Sequence, residues 1–144
     1  MQQLPHRYYA AAVGEPTASI TISSPDLQDL EVDGPPEFGG PGGYWSPETM
    51  LVAAVANCYI LTWRSVAAYN KIEWTDMKVD AQGVLDRIDR VTRFTEIHMK
   101  VQVALPAGYE REKIDRLLER SKSACLITNS MTAEVFMEVE VTEV

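Results

Sequence analysis

Residues 46–63 read "SPETMLVAAVANCYILTW", and their reading decides the architecture. Ser46 offers a side-chain oxygen of the kind that caps a helix. Pro47 suits the first helical position, and Glu48 puts an acid in the first turn. With no proline or glycine following, the helix is expected to run to about Asn70. Leu51, Ala54, Val55, Cys58, Leu61, Thr62 and Ser65 recur at three- and four-residue steps, which predicts an inward stripe with Cys58 on it.

Upstream lies "DGPPEFGGPGGYWSPE", residues 33–48, with four prolines and five glycines. Such a stretch continues neither a helix nor a central strand. It sets off an N-terminal arm, residues 1–32, with short strands expected in "HRYYAAAV" and "TASITIS" and a weaker one at Leu30 to Val32. Downstream, three segments alternate. Met77, Val79, Ala81, Gly83 and Leu85 share one face, as do Ile97, Met99, Val101, Val103 and Leu105, and then Val135, Met137, Val139 and Val141. One face buried and one wet is the pattern of an antiparallel sheet covered on one side. "PAGYEREKIDRLLERSKSAC" supplies a second helix with Ile114, Leu117, Leu118, Ser121 and Cys125 on one stripe. The expectation is an α+β fold, two helices packed on a mainly antiparallel sheet. It forms a single domain over 1–144, with arm 1–32, Gly/Pro-rich loop 33–46 and main body 47–144.

A chain of 144 residues is long enough to bury a core. Its net charge of −8 argues against nucleic acid or an anionic membrane as partner. The N-terminal residues show no leader pattern, and the apolar run from Val52 to Trp63 is short for a bilayer, so a cytoplasmic protein without membrane association is expected. Two cysteines are too few for a disulfide scaffold, and a bridge between them would be transient rather than structural.

Two readings of Cys58 and Cys125 stand side by side. Each is a small apolar residue of the kind that fills cores. Yet if both helices lie on one sheet face their inward stripes meet, and two cysteines on them can converge to disulfide distance, Cα atoms within about 7 Å. Glu48 also reads two ways. It is a first-turn acid stabilising its own helix, or it serves Cys58 from a second copy of the chain, because ten residues of helix separate the two by about 15 Å.

Three segments, "SPETMLVAAVANC", "VTRFTEIHMKVQV" and "ERSKSACLITNSM", resemble the OsmC/Ohr family, that of osmotically inducible protein C and organic hydroperoxide reductase. The resemblance spans about residues 44 to 144 and implies an intertwined homodimer with sites at the subunit interface. It implies reduction of organic hydroperoxides by thiol chemistry, with neither metal nor cofactor. By resemblance, Cys58 is the peroxidatic cysteine, Cys125 the resolving one, and Glu48 the acid that positions an arginine over the sulfur. A dithiol, such as a lipoylated protein or a small thiol, would reset the pair.

The sequence departs from the family in one respect that bears on the chemistry. Family peroxidases carry an arginine in the loop before the Pro-Glu pair, and "VDGPPEFGGPGGYWSPE" has neither arginine nor lysine. Arg7 is the only arginine or lysine before the helix, and Arg64 and Arg93 are substitutes to consider. Leu126 stands where many members have proline. The arginine-free loop favours an alternative, a non-catalytic dimer that binds a hydrophobic small molecule or acts as a redox sensor. His6 and His98 lack zinc-ligand spacing, and "GGPGG" lacks the lysine of a phosphate loop. Trp45, Trp63 and Trp74 are candidates for a pocket lining or for core. "DRIDRVTRF" reads as a solvated hairpin.

Overall fold

A computed structural model describes residues 2–144, which divide into two compact units, one up to Met50 and one from Leu51 to Val144. In the first, strands β1 (Ala11–Val13), β2 (Ile20–Ser23) and β3 (Leu30–Val32) form an antiparallel meander. Ala11 pairs with Ser23 and Ile20 with Val32. The first strand is shorter than "HRYYAAAV" suggested. The Gly/Pro-rich segment folds back after one 3-10 turn, Pro36–Phe38, and Val32 bridges to Trp45. Gly40 lies against backbone there, since a Cβ on it would overlap the carbonyl of Gly34. Among the described residues of this unit only Val32 and Ser46 are buried, so it has almost no core of its own.

Helix α1 (Pro47–Tyr69) starts as its sequence predicts. The Ser46 hydroxyl accepts from the Thr49 amide at 3.1 Å, and the Ser46 amide donates to the Thr49 hydroxyl at 2.9 Å. Two donors that the helix leaves free are thus satisfied reciprocally. At the other end Lys71 takes φ 55, and the Ile72 amide reaches back to the Ala67 carbonyl at 2.9 Å, closing the last turn. By length and composition α1 could cross a bilayer. One row of it, Val55, Tyr59, Trp63 and Ala67, is wholly buried in the core.

The second unit holds a sheet of β4 (Asp76–Ile88), β5 (Val91–Leu105) and β6 (Glu134–Glu143), in that spatial order. The β4–β5 pair is an antiparallel hairpin whose two-residue turn, Asp89 and Arg90, has both φ angles positive, the geometry that suits the twist of a hairpin. β6 runs parallel to β5, which requires the crossover made by α2 (Arg111–Ala124) and a one-turn helix α3 (Leu126–Asn129). Both sheets together remain mainly antiparallel, as expected, whereas α3 and the parallel pair were not foreseen.

The alternating residues share one sheet face, with Val79, Val101 and Val139 in register across the three strands. Ile97, Met99, Val101, Val103 and Leu105 are buried beneath the helices, together with Ile114, Leu117 and Leu118 of α2. Leu85 departs from the expected inward row. It remains 37% exposed because β6 pairs with β5 only from Glu96 onward, so the distal hairpin runs on without a third strand.

Candidate active site

Six consecutive apolar residues, Leu51 to Ala56, surround α1 and blur its phase. The expected inward stripe is therefore corrected. The buried residues are Val55, Tyr59, Trp63 and Ala67, four apart, whereas Leu51, Leu61 and Ser65 are exposed. Cys58 lies between these two faces and is half-buried rather than deep in the core. Its carbonyl accepts the Thr62 hydroxyl, one turn on, at 2.8 Å.

Cys125 is wholly buried at the junction of α2 and α3. With φ −66 and ψ 114 it breaks the helix. Its amide donates to Lys122 at 3.3 Å, and its carbonyl accepts from Asn129 at 3.0 Å and from the Thr128 hydroxyl at 3.2 Å. The backbone around the thiol is therefore fixed from both sides.

Tyr59, the residue after Cys58, ties these two regions together. Its buried hydroxyl donates to the Leu118 carbonyl of α2 at 3.0 Å, two turns before Cys125. Burial pushes the phenol well above its ordinary range, and the charges of Glu119 and of the Cys125 thiol push it in the same direction. The phenol therefore stays a neutral donor in the neighbourhood of Cys125. No local pattern around Tyr59 signals this bond, which links positions 59 apart in sequence.

Glu48 is half-buried, and its Oε2 is buried without a hydrogen-bond partner among the described residues. α1 is continuous from Glu48 to Cys58, so about 15 Å of helix rise separates them and a chain's own Glu48 does not serve its own Cys58. Arg64 is exposed, and Arg93 donates to the Thr132 hydroxyl at 3.2 Å. Arg7 is exposed as well.

The remaining candidates belong to the fold. His98 lies on the outer sheet face, stacked on Phe136 with ring centroids 4.9 Å apart and bonded to Glu96 at 2.6 Å. Trp63 is core, Trp74 is half-buried against the core, and Trp45 is exposed.

The family model for OsmC-like proteins matches residues 40–140. The chain is 25% identical to the uncharacterized protein YmaD of Bacillus subtilis over 140 residues, covering 94% of this chain and 93% of that one. It is 24% identical to an organic hydroperoxide resistance protein of Xanthomonas axonopodis pv. citri over 116 residues, 79% of each. Among solved structures, an OsmC-like protein of unknown function from Vibrio cholerae superimposes with a TM-score of 0.85 at 18% identity, covering 94% of this chain and all of the other. That last likeness is one of fold.

Proposed function

The chain belongs to the OsmC-like protein family, and from that premise we propose that it is a thiol-dependent peroxidase for organic hydroperoxides, acting in the cytoplasm as an intertwined homodimer. Cys58 attacks the hydroperoxide, the O–O bond breaks, and the alcohol leaves with a proton while the sulfur becomes a sulfenic acid. Cys125 then attacks that sulfur. An S–S bond forms, the S–O bond breaks, and the Cys125 proton departs with the hydroxide as water. A dithiol, such as a lipoylated protein or a small thiol, reduces the disulfide and is itself oxidised. The observation that carries this reading is the Tyr59–Leu118 bond, which joins the turn of α1 holding Cys58 to the helix that ends at Cys125.

Two features support the dimer. Leu51, Leu61 and Tyr69 leave apolar surface exposed along α1, and the small β1–β2–β3 sheet buries too little to stand alone in water. A second copy would cover the first and pack against the second. It would also bring a partner's carboxyl toward Cys58, giving Glu48 a role that it cannot have within one chain.

A specific observation favours the alternative, a redox sensor or a non-catalytic ligand-binding dimer. The loop before α1 has neither arginine nor lysine, so it offers no cation to hold the sulfur and polarise the peroxide. Stopped-flow oxidation of the reduced protein by cumene hydroperoxide and by hydrogen peroxide separates the readings. A fast organic-peroxide phase that ends in a Cys58–Cys125 disulfide by mass spectrometry, and is lost in Cys58→Ser, supports the peroxidase. Oxidation no faster than that of a free thiol supports the alternative.

A further inference from the structure

We infer that Tyr59 is a positioning residue for Cys125: its hydroxyl, bonded to the Leu118 carbonyl, pins the end of α2 to the turn of α1 that carries Cys58, so that the second thiol closes onto the first. This rests on reading the two cysteines as a redox pair.

A phenylalanine would fill the same space, so the core does not require the hydroxyl. A buried hydroxyl costs free energy unless it is bonded, and this one is. Its acceptor is also well placed. Leu118 lies within α2, where its carbonyl is already in the helical ladder through Lys122, and the Lys122 carbonyl in turn receives the Cys125 amide at 3.3 Å. Tyr59 therefore grips the strand of hydrogen bonds that ends at the resolving thiol. Since the phenol stays protonated, the grip persists through the pH range in which thiols work. Disulfide closure demands Cα atoms within about 7 Å and correctly aimed Cβ atoms, so loosening that grip slows closure before it affects the first oxidation.

The test uses the full-length protein and Tyr59→Phe, with both held well below their melting temperatures. After one equivalent of cumene hydroperoxide, quenched samples are separated by mass into thiol, dimedone-trapped sulfenic acid, disulfide and sulfinic acid. Oxidation of Cys58 is expected at the wild-type rate, with disulfide formation slowed by about fivefold or more, the scale of one lost hydrogen bond. Excess peroxide should then raise the sulfinic fraction. Closure is also followed without peroxide, from the Cys58 mixed disulfide with Ellman's reagent, by release of the second thionitrobenzoate when Cys125 attacks. Slower release in Tyr59→Phe sustains the positioning role even where wild-type protein fails to react with peroxide, the outcome that would sink the peroxidase reading alone. Equal release rates in the two proteins overturn the positioning role whatever the peroxide does.

Discussion

A Cβ built on Gly83 would stand 2.8 Å from Cγ2 of Val52, so the second turn of α1 rests on the sheet where β4 has no side chain. The same Cβ would also stand 2.6 Å from the Phe94 ring across the hairpin. Gly83→Ala gains about 0.5–1 kcal/mol of strand propensity and loses more to overpacking, which costs about 1–3 kcal/mol. A net fall in stability of about 1–2 kcal/mol follows, read as a lower urea midpoint. A midpoint at or above that of wild type would mean that α1 can lift away from the sheet.

Alkaline pH should destabilise the fold through Tyr59. The folded state holds its phenol above the ordinary value of 10.0. Above about pH 10 the unfolded chain releases that proton and the folded chain keeps it, so the unfolded state binds fewer protons and stability falls as pH rises. The slope approaches about 1.4 kcal/mol per pH unit. Tyr59→Phe lacks this loss, and the other tyrosines are common to both proteins. Unfolding curves from pH 8 to 11 should therefore converge as pH rises, with wild type losing its advantage. Parallel curves would place Tyr59 in contact with water.

The parts of the fold that depend on neighbours in sequence were legible there. Ser46, Pro47 and Thr49 set the start of α1 locally, and the alternation from Ile97 to Leu105 marks a strand whose inner face is buried. The phase of α1 was not legible, because Leu51 to Ala56 offer no polar residue to mark the outer side. The parallel placement of β6 follows from where α2 crosses the sheet, and no local pattern encodes it. Cys125 was legible as an inward residue at a helix end, whereas the Tyr59–Leu118 bond near it exists only through tertiary packing. The candidate site was thus readable as two cysteines but not as the Tyr59–Leu118 contact that relates their helices.

The outward row of α1 makes the proposed dimer testable. Leu61 is 53% exposed in the single chain, so a charge there costs little folding free energy and matters only where another surface covers it. Leu61→Glu should leave thermal unfolding of a monomer nearly unchanged and halve the mass measured by light scattering at micromolar concentration. A dimer that survives the substitution would assign the interface to other residues.

Replacing the second thiol should alter the fate of Cys58 rather than its first reaction. Cys125 is wholly buried, so Cys125→Ser substitutes a hydroxyl of nearly the same size. A buried hydroxyl costs about 1–3 kcal/mol if unbonded, an upper bound on the stability change, since sulfur and oxygen share the same small pocket. With the second thiol gone, a sulfenic acid on Cys58 has no intramolecular partner. One equivalent of cumene hydroperoxide should give a dimedone-reactive protein, and an excess should carry it to the sulfinic acid at a mass about 32 Da above the thiol, the next rung of the oxidation ladder. Wild-type protein under the same excess should stop at the disulfide, about 2 Da below the thiol, because closure outruns the second oxidation. If wild type and Cys125→Ser accumulate sulfinic acid equally, Cys125 does not resolve Cys58, and its burial at the end of α2 is a packing role alone.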